Sequence, residues 1–240
     1  MPANPASIEP RPLGLLLRGE PGQLRDWLQK AHAGSVAFCV AVIFTGAGLY
    51  GAAMGCWRAP LQALFVATKL PLIIILTSAG NALLNAMLAP LLGLNITFRQ
   101  SFLAILTSFT IACAILGSFS PLAAYLVWNS PPLTTDAVLS SGTYSFIQLT
   151  HVAVIAFAGV AANLHLLNLL RQMSPSGAVA RRVLVAWLAG NLFLGSQLTW
   201  ILRPFIGSPG LPVEFLRATA FKGNFYETVL RALARLLQVD

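Results

Sequence analysis

Carboxylates are scarce in this chain. It has seven Asp and Glu among 240 residues, and none falls inside a long apolar run. General acid–base chemistry by carboxylates is left with few candidates, and an intramembrane acid protease lacks its pair of acids. Cysteine is rarer still. Cys39, Cys56 and Cys113 are odd in number and form no CxxC pair, which argues against a disulfide framework. Of the three histidines, His151 and His165 stand fourteen positions apart, about 21 Å along a helix, too far to share a metal ion. The patterns GxSxG, P-loop and HExxH are absent. No catalytic residue, metal or cofactor is therefore expected, and the reading leans away from an enzyme.

Charge of either sign is also thin. Only 9% of residues are charged and 57% are hydrophobic, with a mean hydropathy of +0.75. A soluble domain carries about 25% charged residues, so the expected solvent is a bilayer. The net charge of +8 does not point to nucleic acid, which needs a basic face on a soluble domain. The Lys and Arg residues are instead dispersed between apolar runs, as topology signals and head-group contacts are.

What is abundant is uninterrupted apolar sequence. A helix crosses the hydrocarbon core with about 20 residues. On that scale five spans are predicted, at about 34–55, 70–93, 101–128, 144–170 and 183–203. The stretch "WRAPLQALFVAT" before the second reads as an interfacial turn. Open backbone polar groups are not tolerated in lipid, so all five spans should be helical. The expected fold class is an all-α membrane protein, a bundle over residues 34–204.

The flanks are more polar. Residues 1–19 are proline-rich and are expected to be mobile. Residues 20–33 place Leu24, Trp27, Leu28 and Ala31 on one stripe, the pattern of an amphipathic interfacial helix. Residues 205–240 form an amphipathic tail, in which Asn224 and Glu227 have the spacing of a capping box. The first span follows a helix-forming segment and reads as retained rather than as a cleaved signal.

With a cytoplasmic N-terminus the inner segments hold eight Lys and Arg, against Arg58 and Lys69 in the outer loops. Counting the basic tail with the outer side narrows this to eight against seven. Trp57, Trp128 and Trp200 end spans one, three and five, as interfacial rings do. Arg203 follows Trp200 closely enough to snorkel, and Pro204 disfavours further helix.

Two stretches, "KLPLIIILTSAGNALLNAMLAPLLGL" (69–94) and "GNLFLGSQLTWILRPFIGSP" (190–209), resemble an uncharacterised group of bacterial five-span membrane proteins. More loosely, the layout is similar to the Yip superfamily. The resemblance implies a helical bundle in a bacterial inner membrane with its N-terminus inside. It implies no catalytic residues, and the long N-terminal domain of eukaryotic Yip members has no counterpart here.

Three constellations carry candidate function. Thr77, Asn81 and Asn85 follow at i, i+4 and i+8 on one face of span two, either as interhelical glue or as the lining of a path. His151 is a candidate pH-sensitive group. Arg58, Lys69 and Arg203, with Trp57 and Trp200, should meet one membrane face as a site for a lipid phosphate, guanidinium groups gripping its oxygens. Gly51 and Gly55 form a GxxxG, a weak signal for a homo-oligomer. The function that follows is a non-enzymatic membrane protein: a scaffold, accessory subunit or membrane organiser with an unidentified membrane-protein partner. The alternative is a small-molecule or lipid transporter or carrier, using the span-two stripe and the interfacial arginines. Bilayer lipid, anionic lipid in particular, is the expected partner in both.

Overall fold

A computed structural model describes residues 12–18, 21–29, 33–131, 137–207 and 212–227. Seven helices follow one another: α1 (Pro12–Arg18), α2 (Pro21–Gln29), α3 (Ala33–Gly55), α4 (Pro60–Leu91), α5 (Phe98–Trp128), α6 (Ala137–Met173) and α7 (Gly177–Leu202). No strand occurs among the described residues. The last five helices are long and apolar enough to cross a membrane, in agreement with the five expected spans.

Local chemistry sets the helix ends. Pro60 opens α4 at a position where its missing N–H costs nothing. Gly93, at φ +87°, ends it, and the Leu94 N–H returns to the Ala89 carbonyl. Helix α5 opens with a capping box. The Gln100 N–H donates to Thr97 Oγ1, and the Thr97 N–H donates to Gln100 Oε1. The Ser176 hydroxyl caps α7 by accepting from the Val179 N–H.

Two boundaries differ from expectation. The "WRAPLQALFVAT" stretch is no separate turn: α4 runs unbroken for 32 residues from Pro60. That length is about 48 Å, longer than the hydrocarbon core, so Lys69 lies inside the helix rather than ahead of it. Residues 12–18, expected to be mobile, form α1 with Leu16 fully buried. Helix α2 lies within the predicted 20–33 segment. Its Trp27 donates from Nε1 to Thr107 Oγ1 on α5, and Leu28 is buried beside it. Trp27 and Leu28 therefore face the bundle. At the other end the Glu227 N–H donates to Asn224 Oδ1, as the spacing predicted, while 228–240 lies outside the described residues.

Glycine brings α3 against both neighbours. A Cβ at Gly46 would overlap the Cys113 carbonyl of α5, and one at Gly117 would stand 2.9 Å from Gly46 Cα. Gly51 and Gly55 do the same against Val66 and Ala63 of α4, so the GxxxG face is occupied within the chain. Close backbone approach replaces the hydrophobic drive that lipid cannot supply. Gly46→Leu should destabilise the bundle by about 1–3 kcal/mol or more, whereas Gly159→Ala, with open space around it, should not. Thermal unfolding in detergent distinguishes them, and equal melting points would refute the α3–α5 contact.

Candidate functional site

Five antiparallel spans bring the end of α3, the start of α4, the end of α5, the start of α6 and the end of α7 to one face of the bundle. There the chain leaves α7 at Arg203 and runs along α4. Pro204, Ile206 and Gly207 are buried in this non-helical segment, whose carbonyls need donors. Gln62 and Lys69 supply them. They stand seven positions apart on α4, two turns along one face. Gln62 Nε2 donates to the Pro204 and Phe205 carbonyls at 3.0 and 2.6 Å, and Lys69 Nζ donates to the Pro204 carbonyl at 3.1 Å.

Lys69 is 0% exposed. Its ammonium sits 5.0 Å from the ring centre of Phe215, 5.9 Å from Phe65 and 6.0 Å from Phe205. Three aromatic faces and a carbonyl thus surround a charge that sequence reading placed at the interface. Arg58 lays its side chain on Gly207, where a Cβ would come within 2.9 Å of Arg58 Cγ. Gly207 also has φ +85°, so both space and backbone require glycine there.

Arg203 stacks on Trp200, 3.7 Å from the ring centre. Its Nη1 donates to the Trp200 carbonyl and its Nη2 to the Thr219 carbonyl. Burial, and then the neighbouring Arg217 charge, lower its pKa from the usual arginine value, without bringing it near neutrality. The charge of Arg217 also reaches Lys69. Among the described residues, the Arg217 guanidinium makes no hydrogen bond or ion pair, and none of these three cations meets a carboxylate.

Arg203 and Arg217 border a pocket of about 530 Å3 lined by α6, α7 and residues 203–207, with Met54 of α3 and Leu70 of α4 also in its lining. Tyr144, Gln148, His151, Val152 and Ile155 form its α6 wall and Thr199 its α7 wall. Val152 and Ile155 are 55% and 40% exposed, so the pocket opens along the outside of the bundle. His151 is buried, and its Nδ1 shares a 2.8 Å hydrogen bond with the Tyr50 hydroxyl of α3.

The predicted residues separate into three places. Arg203 lines the pocket; Lys69 lies behind its Pro204 wall; Arg58 supports Gly207. Trp57 is no head-group anchor. It is 8% exposed, and its Nε1 donates to the Pro131 carbonyl, tying the α3–α4 turn to the end of α5. Trp200 serves as the surface on which Arg203 rests. Sequence reading missed Gln62, Tyr50 and Arg217. Nothing in a linear pattern pairs Gln62 and Tyr50 with partners a hundred or more positions away, and Arg217 joins Arg203 only at the pocket.

The α4 stripe is a different feature. Thr77, Asn81 and Asn85 are all buried on the side of α4 that meets α7. Asn81 Nδ2 donates to the Trp187 carbonyl and to Asn191 Oδ1, with Gly190 making room for it. Thr77 Oγ1 and both amide atoms of Asn85 have no partner among the described residues. None of the three lines the pocket. No group of three or more metal-binding side chains occurs among the described residues.

Comparison with known protein families, curated proteins and solved structures finds no match to this chain.

Two outcomes follow from the geometry. Gln62→Leu strands two buried carbonyls and should cost about 1–3 kcal/mol, read as a lower melting point in detergent; an unchanged melting point would mean the 203–207 segment is held otherwise. Asn81→Leu should lose about 0.6–2 kcal/mol, whereas Asn85→Leu should be neutral or stabilising because it breaks no hydrogen bond. Equal losses at both positions would contradict this division of the stripe.

Proposed function

We propose that this chain is a non-enzymatic integral membrane protein that binds an anionic amphiphile in the α6–α7 pocket. The observation that carries this reading is the pair Arg203 and Arg217, two guanidinium groups without a carboxylate partner among the described residues, at the wall of a cavity that opens along the bundle. A phosphate or carboxylate head group supplies the missing charge and accepts paired N–H bonds from the guanidinium forks. Val152 and Ile155 offer the apolar wall that the rest of such a ligand needs. Pockets of about 300–1,000 Å3 suit ligands of this size.

This favours the carrier or lipid-binding alternative over a bare scaffold, with one change: the α4 stripe is not part of the site. Asn81 is spent on α7, and the stripe holds helices together. In the same reading the protein sits in a bacterial inner membrane, Yip-like in layout, with α2 at the cytoplasmic interface. The N-terminus is then cytoplasmic by the charge count, and the pocket faces the outer leaflet.

The test is the lipid that stays with the purified protein. Arg217→Gln, which removes no hydrogen bond, and the double change with Arg203→Gln should each reduce anionic lipid retained through purification, the double variant by at least about tenfold. Competing inorganic phosphate should fail to displace it if the ligand is an amphiphile, and should displace it if the site takes a free anion. Unchanged lipid in folded variants would overturn the proposal.

A further inference from the structure

Arg203 and Arg217 reach the pocket from two parts of the chain. Arg203 stands one residue past the end of α7, its guanidinium laid on Trp200. Arg217 belongs to residues 212–227, and Arg203 holds that segment beside itself: Arg203 Nη2 donates to the Thr219 carbonyl at 3.3 Å. Thr219 is two residues from Arg217, at most about 7 Å along the chain. One bond thus brings the second guanidinium to the first.

Both groups keep donors that a ligand can reach. Arg217 is partly exposed, makes no side-chain hydrogen bond among the described residues, and has no buried guanidinium nitrogen. A guanidinium carries five N–H donors. Arg203 spends two of them, on the Trp200 and Thr219 carbonyls. Three remain, and its Nε is accessible. Each arginine can therefore still grip two oxygens.

Two forks and two charges set what the ligand must bring. A carboxylate brings one charge and two oxygens, and a phosphate diester brings one charge and two unesterified oxygens. Either fills one fork. A phosphate monoester brings three terminal oxygens and a charge of about −1.5 to −2 at pH 7. Two forks can share those oxygens, and both guanidinium charges are met. The surroundings favour the same choice. Lys69, behind the Pro204 wall, is a third cation close enough to feel Arg217. No acidic residue lines the pocket among the described residues, and Glu214, three positions before Arg217, pairs with neither arginine there. Low-dielectric walls make a second negative charge worth more than it is in water.

We infer that the ligand class is a phosphate monoester carrying an apolar tail, and that Arg217 is the residue that selects monoester over diester. The inference rests on the pocket being an anionic-amphiphile site, and it adds which anion is chosen. Arg203 is the fixed half of the grip, held by its ring stack and two carbonyls. Arg217 is the half that a diester leaves unused.

The choice has a pH signature. A phosphate monoester loses its second proton at about pH 6. The protein's groups work in the opposite sense. As pH rises, Tyr144 and His151 of α6, Glu214 beside Arg217 and Lys69 of α4 can only lose protons, which weakens anion binding. Arg58, Arg203 and Arg217 stay charged, and the linings from α3 and α7, Met54 and Thr199, do not titrate in this range. A monoester affinity that rises with pH therefore reports the ligand's own second ionisation.

The test sets dioleoyl phosphatidic acid against dioleoyl phosphatidylmethanol, which differ by one methyl ester. Each competes with a fluorescent phosphatidic acid for the detergent-solubilised full chain. The wild-type chain should favour phosphatidic acid by about tenfold at about pH 7.5, falling to about threefold or less at about pH 5. Arg217→Gln should bind both lipids weakly and with equal affinity. Equal wild-type affinity for the two lipids would overturn the inference while leaving the anionic site standing. So would an undiminished preference in folded Arg217→Gln or, should that variant not fold, a wild-type preference that does not grow with pH. Displacement of the tracer by inorganic phosphate would move the ligand to a soluble phosphate ester and overturn the amphiphile. Failure of the wild-type chain to bind either lipid would remove the anionic site and this inference together.

Discussion

A chain that leaves a helix while still enclosed by a membrane bundle must find donors for its carbonyls, and that constraint organises this protein. The segment from Pro204 to Gly207 is irregular and mostly buried. Proline contributes no donor of its own. Gln62 and Lys69, two turns apart on α4, meet the Pro204 and Phe205 carbonyls. With these donors in place, Arg203 is directed onto Trp200, Gly207 passes under Arg58, and the pocket acquires its floor.

The use of a lysine for this purpose can be weighed. A lysine at the centre of a span costs about 2.5–3.5 kcal/mol on insertion scales, an upper bound for Lys69, which lies in the first third of α4. A charge-assisted hydrogen bond returns about 1.5–3 kcal/mol, and each aromatic face about 0.5–1 kcal/mol or more. The arrangement around Lys69, one carbonyl and three rings, therefore comes close to balance with no carboxylate among the described residues. That explains how a chain with so few acids tolerates a buried cation. It also explains why Phe65, Phe205 and Phe215, from three separate parts of the sequence, converge there.

The five-helix architecture was legible in the sequence because apolar run length alone decides it. The start of α4 was not. A tryptophan, an arginine, a proline and then a lysine resemble an interface when read in a line. The helix continues through them because Pro60 is harmless in a first turn and Lys69 has a partner 135 positions away. The arginine site was half legible. Arg203 was visible from its isolation in an apolar run, but Arg217 sits among ordinary loop residues and gains its meaning from the fold. The likeness of "WRAP" to "WILRP" was misleading for the same reason. Trp57 is turned inward to Pro131, whereas Trp200 carries Arg203.

The polar stripe and the basic pocket have opposite hydrogen-bond economies, and this separates structure from binding. Asn81 satisfies α7 through two bonds at close glycine contacts, in the manner of interhelical glue. A pathway would need the stripe to reach the cavity, and no stripe residue lines it. At the pocket the imbalance has the other sign. Among the described residues the cations there outnumber the anions, and the cavity opens beside the exposed Val152 and Ile155. A ligand entering from the side would bring the missing negative charge and leave its apolar part in contact with lipid. Side entry requires no passage through the bundle, so the close packing of α3 against α4 and α5 is compatible with binding and opposes conduction.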